Sequence, residues 1–517
     1  MSAVISYGKS KASGKADGAS RLDDKDPAVS AQADKVEHPE PQDDFSTTQH
    51  VLNSVDGALA YTATIGRIVL HEEVTEDDKF QGRKPKAELS ITSYTLDPKP
   101  GETIDVTKRP VVFAFNGGPG SSSVWLHLGL LGPRRVDSGD VGALTPPPYG
   151  LLDNPETLLR VADLVFIDPI STGYSRAVEG ESAKPYHGFQ GDIELVAEVI
   201  RLWTTRNGRW MSPKYILGES YGGTRGGGLV DYLQNRFGMN FNGVIMIAPA
   251  LNTETFFHSE HSDLPYPLNL PAQAAVAHYH GKLPDKTLEQ AVADADAYVD
   301  EYRNLLAKGH NITPEERAAA IAKLSSIIAI RPEYIDQANL RVSHMRFLAE
   351  LLRDQRKVVG RLDARFTGPS NHYTHEYMTP DPFNTATEGA FTAAWNHYVN
   401  SELDYHHEAP YETSTDKVRP WSYKEFEGKA VDVADRLTSA MIKNPFLQLH
   451  VALGRYDAGV PKEAVEYSLN HLAIPYEDRD RIETITYPAG HMMYLHQPSR
   501  IKQLDDIAAF IKRSSNR

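Results

Sequence analysis

The chain of 517 residues contains no cysteine. Disulfides therefore play no part in holding the fold together, and the redox compartment leaves no mark on the sequence. Long apolar runs are missing as well, and no stretch approaches the length of a membrane span. Positive charge is in deficit: 54 Lys and Arg stand against 69 Asp and Glu, a formal net charge of -15. Such a balance argues against nucleic acid as a partner and favours solubility, without pointing to a substrate. Residues 1–45 have almost no large apolar side chains and are rich in Ala, Ser, Gly, Lys and Asp, so this segment is expected to be disordered. It also lacks a continuous apolar stretch behind a basic one, so no intact secretory signal is expected. A cytoplasmic location is the default, with a periplasmic or secreted one if a leader has been removed. What remains, with 40% hydrophobic residues overall, can bury a substantial core and is expected to form one large domain carrying an insertion.

Gly218-Glu219-Ser220-Tyr221-Gly222 follows directly on an apolar run, Tyr215 to Leu217, and leads into further glycines. In that setting G-x-S-x-G is a nucleophile elbow. The serine sits on a strained strand-to-helix turn, and the flanking glycines remove Cβ atoms where backbone segments approach. A second glycine cluster, Asn116-Gly117-Gly118-Pro119-Gly120-Ser121-Ser122-Ser123, follows another β-branched and aromatic run, Val111 to Phe115. An elbow serine needs a backbone N–H from a loop after an earlier strand to hold an oxyanion, and Gly118 lies in such a loop. The partner donor is the N–H of Tyr221.

An acid and then a histidine must follow, each on a loop at the end of a later strand. Phe446 to Leu453 reads as a buried strand and ends at Gly454-Arg455-Tyr456-Asp457-Ala458-Gly459, which makes Asp457 the acid. Asp435 and Asp478 are the other candidates, and neither follows a convincing strand. Arg481 to Tyr487 alternates like a strand and ends in Pro488-Ala489-Gly490-His491, which makes His491 the base. A terminal helix is expected from about Pro498 to Lys512.

These segments resemble the serine carboxypeptidase family, peptidase family S10, within the α/β-hydrolase superfamily. The resemblance rests on Asn116 to Ser123, Leu131-Gly132-Pro133, Asp168-Pro-Ile-Ser-Thr-Gly-Tyr-Ser175, Gly218 to Gly223 and Gly490-His491-Met492, in the family's order. It covers roughly residues 85–252 and 440–510. It implies an α/β-hydrolase fold, with a mostly parallel central sheet, helices on both faces and a largely helical cap. It carries the nucleophile, acid and base roles to Ser220, Asp457 and His491, and the oxyanion hole to Gly118 and Tyr221. It also implies that Asn116, Gly117 and Glu219 bind the free C-terminal carboxylate of a peptide substrate. For Glu219 this works if burial raises its pKa, because a protonated carboxyl can share its proton with the substrate's carboxylate. Two departures stand out. Leu130 occupies the place of the family's second Glu, before Leu-Gly-Pro, and Ser121 that of its cysteine.

The expected organisation is a hydrolase core over 46–252 and 439–517, interrupted by a mainly helical cap over 253–438 that shapes the substrate pocket. Thr313-Pro314-Glu315-Glu316 is a helix start, with a helix running to about Ile328, and a longer helix is expected from Pro332 to Val359, ended by Gly360. The His-rich pieces His258 to His261, His372 to Glu376 and His406-His407-Glu408 lack H-E-x-x-H spacing, and a serine mechanism needs no metal; none is expected, nor any cofactor. Gly222 to Gly228 lacks the Gly-Lys-Ser/Thr ending of a phosphate loop. The expected activity is release of C-terminal residues from peptides through an acyl-enzyme on Ser220. The alternatives are an esterase or acyltransferase using the same residues and, more remotely, a non-catalytic binding protein on a hydrolase fold. Oligomeric state is open.

Overall fold

The computed structural model describes residues 40–141, 145–259 and 262–515. The disorder expected of residues 1–45 falls mostly outside them, but Asp44 and Phe45 already belong to a strand. Three long strands open the chain: β1 (Asp44–Ser54), β2 (Gly57–Glu76) and β3 (Lys79–Leu96). Then come β4 (Val111–Phe115), a hairpin of β5 (Arg134–Asp137) and β6 (Gly150–Asp153), β7 (Asp163–Ile167) and the two-residue β8 (Arg176–Ala177). The rest are β9 (Lys214–Glu219), β10 (Gly243–Ile247), the short pair β11 (Val358–Val359) and β12 (Thr367–Gly368), β13 (Gln448–Gly454) and β14 (Ile482–Tyr487).

Ten strands form one sheet in the order β1-β2-β3-β7-β4-β9-β10-β13-β14, with β8 beside β3. The first three pair antiparallel, and every neighbour pair from β7 to β14 is parallel. In β4, Val112 and Ala114 enter one apolar cluster while Val111, Phe113 and Phe115 enter another. A strand apolar at every position, with its side chains divided this way, must be covered on both faces. Helices Phe189–Arg206, Tyr221–Phe237 and Ala434–Lys443 supply residues to one cluster; Pro382–Ser401 and the C-terminal Gln497–Ser515 supply the other. The sheet is thus the centre of a three-layer α/β arrangement.

Within residues 253–438 the packing divides. Six helices between Pro265 and Glu350 build a third cluster of their own. Helix Pro382–Ser401, by contrast, delivers Phe391, Trp395 and Tyr398 into the core of the sheet face. Helix Pro314–Ile328 starts as its sequence requires: Thr313 accepts from Glu316 N (3.2 Å) and Glu316 accepts from Thr313 N (3.0 Å). The single long helix expected from Pro332 to Val359 does not form. Helix Pro332–Gln337 stops where Asn339 and Leu340 take left-handed φ of 51° and 63°; a second helix, His344–Glu350, is then capped by Ser343; and Val358–Val359 is strand. Asn is among the residues that tolerate such a stop, and Ser343 offers a better start than continuation would. Ile335 before the break, Leu340 and Val342 within it and Phe347 after it all stay buried, so the apolar pattern survives the break.

Candidate active site

β9 ends at Glu219, and helix Tyr221–Phe237 starts two residues later, leaving Ser220 alone on the turn with φ 61° and ψ −124°. For a residue with a Cβ this is a strained conformation, and the surroundings hold it in place. Ser220 N donates to Ile247 O (3.0 Å), and its carbonyl accepts from Gly223 N (2.9 Å) and Ala250 N (3.1 Å). A Cβ on Gly222 would sit 2.8 Å from Phe115 O, and one on Gly218 would run into the Gly222 carbonyl, so β4, β9 and the helix can approach only with glycine there. Ser220 is half-buried where its neighbours are buried, which leaves its side chain at the parallel strand ends. The further glycines serve packing: a Cβ at Gly223 would strike Pro249, and one at Gly228 would strike Ile193 and Phe189.

The loop after β4 lies directly against this turn. A Cβ on Gly117 would sit 2.7 Å from both Glu219 O and Gly222 N, and closer still to Tyr221 N. Gly118 has φ +106° and is exposed, and a Cβ there would sit 2.7 Å from Gly120 N. The N–H groups of Gly118 and Tyr221 are therefore carried by loop and helix start in contact with one another, flanking Ser220. Asn116 is fixed three ways: Oδ1 accepts from Leu126 N (3.0 Å), Nδ2 donates to Glu219 Oε1 (3.1 Å), and its carbonyl accepts from Arg225 Nη1 (2.6 Å). Arg225 is wholly buried, pairs with Asp192 at 2.7 Å, and lies over the rings of Phe115 and Tyr221 at 5.2 Å from each centroid. Removing one member of such a pair leaves an uncompensated charge, so Arg225 and Asp192 tie the two glycine loops into one rigid unit. Neither residue carries a motif that would have singled it out.

Asp457 and His491 meet as their chain order suggested. His491 Nδ1 and Asp457 Oδ2 are 2.6 Å apart, both residues are buried, and Asp457 Oδ1 accepts from Gly459 N (2.8 Å) and Val460 N (3.0 Å). With a carboxylate on Nδ1, that nitrogen carries the proton and Nε2 is left free to accept one. Burial opposes charge on His491, but the charge and hydrogen bond of Asp457, aided by Glu219, outweigh it and hold the imidazole pKa above its ordinary value. The helical insertion buttresses this corner: His491 N donates to Leu362 O (2.6 Å), Gly490 N donates to Asp363 Oδ2 (3.2 Å), and Arg365, paired with Asp363, donates to Pro488 O (2.8 Å). Asp435 lies exposed in the first turn of its helix and Asp478 pairs with Arg481 at 2.8 Å, so neither reaches the imidazole.

Glu219 points into the interior beside these groups. Burial pushes its pKa up to about 7, with His491 pulling it down and Asp457 pushing it up. It accepts from Asn116 through Oε1, while Oε2 has no hydrogen-bond partner. Leu130, which precedes Leu131-Gly132-Pro133, is wholly buried in the apolar cluster. Among the Asp168 to Ser175 residues, Asp168 accepts from Ser123 N (2.8 Å) and Ser175 Oγ donates to Asp168 O (2.7 Å), which makes that motif a brace for the glycine loop.

Among the described residues, no group of three or more His, Cys, Asp or Glu is arranged to hold a metal ion. His258 and His344 face each other through Nδ1 atoms at 3.1 Å; the rings of His372 and His375 lie 4.8 Å apart, tilted by 49°; His406 bonds Asn400 and Asp404; and His261 lies outside the described residues. Among the described residues, no helix is long and apolar enough to cross a membrane.

Among solved structures, the chain is similar to a proline iminopeptidase of Mycobacterium smegmatis (12% identity, TM-score 0.34, covering 86% of this chain and 99% of that one). It is similar at the same level to a thermophilic esterase from Thermogutta terrifontis (12%, TM-score 0.32, 87% and 99%). Among curated proteins it is 30% identical over 179 residues to serine carboxypeptidase-like 36 of Arabidopsis thaliana. That match spans 33% of each chain, a third of the relative's length. The sequence model of the serine carboxypeptidase family matches a far longer stretch, residues 102–510, which takes in both glycine loops, the insertion, and the strand ends that bear Asp457 and His491. The chain, an α/β-hydrolase by its sheet and its elbow, belongs to the serine carboxypeptidase family.

Proposed function

We propose that this protein is a serine-type carboxypeptidase that removes C-terminal residues from peptides through an acyl-enzyme on Ser220. His491 Nε2 takes the serine proton as Oγ attacks the scissile carbonyl, and Asp457 keeps the other ring nitrogen protonated and supports the imidazolium. The N–H groups of Gly118 and Tyr221 hold the oxyanion. Collapse of the tetrahedral species breaks the C–N bond, and the leaving amine receives the proton from His491. Water, deprotonated by the same imidazole, then releases the shortened peptide.

The observation that carries the exopeptidase part is Glu219: a buried carboxyl, adjacent to the nucleophile, with a pKa near 7 and one oxygen unpartnered. Protonated, it can donate to a substrate carboxylate that an ionised Glu would repel, with Asn116 and Gly117 completing the subsite. A second reading, esterase or acyltransferase, is favoured by Leu130, which withholds the family's second carboxyl from this subsite. The deciding experiment compares one peptide with its C-terminal amide, in wild type and in Glu219→Gln. The proposed activity requires strong preference for the free acid in wild type and loss of that preference in the variant. Equal cleavage of acid and amide by the wild type removes the exopeptidase reading, and failure to react with a fluorophosphonate removes both.

A further inference from the structure

Two buried polar groups next to one another, Glu219 Oε2 and the hydroxyl of Tyr494, make no well-aligned hydrogen bond, although the hydroxyl lies near enough to Glu219 to interact with it. Buried polar groups left short of a good hydrogen bond are rare in folded proteins, and two of them side by side next to Ser220 point to a ligand that both were shaped to meet. Tyr494 lies three residues after His491, in the turn Met493–Leu495, and is 4% exposed, as is Glu219. Its ring rests on the backbone of Gly129, where a Cβ would come within 2.6 Å of the ring's Cδ2, so only glycine leaves room for it. Gly129 immediately precedes Leu130, the apolar residue standing where the family has its second carboxyl. The hydroxyl acts on both Glu219 and Asn116, yet no aligned hydrogen bond satisfies it.

We propose that Tyr494 is a specificity residue of the carboxylate subsite, its phenolic O–H donating to the substrate's C-terminal carboxylate alongside the protonated Glu219, in place of a second carboxyl. The inference rests on the exopeptidase reading above. A phenol differs from a carboxyl in one useful respect: buried here, it holds its proton across the whole working range, since its pKa lies well above the ordinary tyrosine value. Carboxylate recognition then depends on a single titration, that of Glu219. The groups that face Glu219 are His491, Asp457, Tyr494 and Asn116, and among them Tyr494 lowers the Glu219 pKa.

Tyr494→Phe keeps the ring on Gly129 and removes only the hydroxyl. For a peptide with a free C-terminus, KM should rise roughly 10- to 100-fold, as for loss of a hydrogen bond to a charged group. The acid-over-amide preference should fall by the same factor. The alkaline limb of kcat/KM for the acid substrate should also move to higher pH, because the group that lowered the Glu219 pKa is gone; a packing defect would move neither the preference nor that limb. If the wild type prefers acid over amide and Tyr494→Phe retains both the preference and the limb, the Tyr494 assignment is overturned while the exopeptidase reading stands. If the wild type shows no preference, the reading itself falls and takes the assignment with it.

Discussion

Gly117→Ala tests how tightly the proposed oxyanion site is held. The added methyl would sit 2.7 Å from Glu219 O and Gly222 N and nearer to Tyr221 N, where ordinary contact begins at 3.4 Å. These are backbone atoms of the elbow, fixed by hydrogen bonds to Ile247 and Ala250, so they cannot yield as a flexible side chain would. The glycine loop must instead back away by roughly 0.7 to 1 Å, enough to spoil an oxyanion contact and to cost on the order of 10²-fold in kcat. Gly117 does not have positive φ, so the substitution carries no conformational penalty beyond the clash, and the chain should still fold. The assay is kcat on an activated ester and on a peptide, beside a thermal melt. Both substrates should lose the same factor, because the oxyanion forms in both reactions. Wild-type kcat in a folded variant would refute the placement of the loop, and a loss confined to the peptide would move the defect from the oxyanion to the carboxylate subsite.

Ser220→Ala should lower kcat on the order of 10⁶-fold with no loss of fold, since it removes a half-buried hydroxyl and no packing volume, and near-normal turnover would end the assignment. Asp457→Asn should lower kcat by about 10⁴-fold by favouring the wrong imidazole tautomer, while Asn at Asp435 or Asp478 should leave turnover within a fewfold of wild type; the reverse pattern would transfer the acid role. Glu219→Gln should shift the acid limb of ester hydrolysis to lower pH. The Glu219 carboxylate raises the His491 pKa, so removing it lets the imidazole become neutral sooner as pH rises; an acid limb that stays put or moves upward in a pH–rate profile would contradict this.

Most of the parallel half of the sheet was legible because its strands are short, largely apolar or alternating, and several lead into glycine-bearing loops. Val111–Phe115 was read to the residue, and the strands leading to Ser220, Asp457 and His491 to within one or two, whereas β7 was not read. The antiparallel strands β1 to β3 were harder, since their half-exposed alternation of small polar residues reads little differently from loop. The missed break at Asn339 has a plain cause: helical periodicity records which residues are buried, and Leu340 and Val342 are buried whether or not the helix continues. In the candidate site, residues with a chemical signature at a strand end could be singled out from the sequence, and those without one could not. Arg225 and Asp192 lie 33 positions apart, and their pairing depends on how two helices pack. Tyr494 is close to His491 in the chain, but its meaning lies in Gly129 and Glu219, which only the fold brings to it.

Under the proposed reading, the two titrating groups of this site make opposite demands. Carboxylate binding needs a proton on Glu219, and attack needs His491 without one. Each group acts on the other: an ionised Glu219 raises the His491 pKa, and His491 lowers that of Glu219. Loss of the first proton from the pair therefore makes the second harder to remove, and the apparent pKa values belong to the pair and not to either residue. A peptide carboxylate entering the subsite does not remove the negative charge beside the imidazole. It shares Glu219's proton, so His491 still faces an anion when the serine attacks. An ester substrate brings no such charge, and with Glu219 protonated it meets an imidazole with one stabilising neighbour fewer. The acid peptide and the ester thus read the same histidine against different surroundings, and the separation of their acid limbs measures the interaction between subsite and base directly.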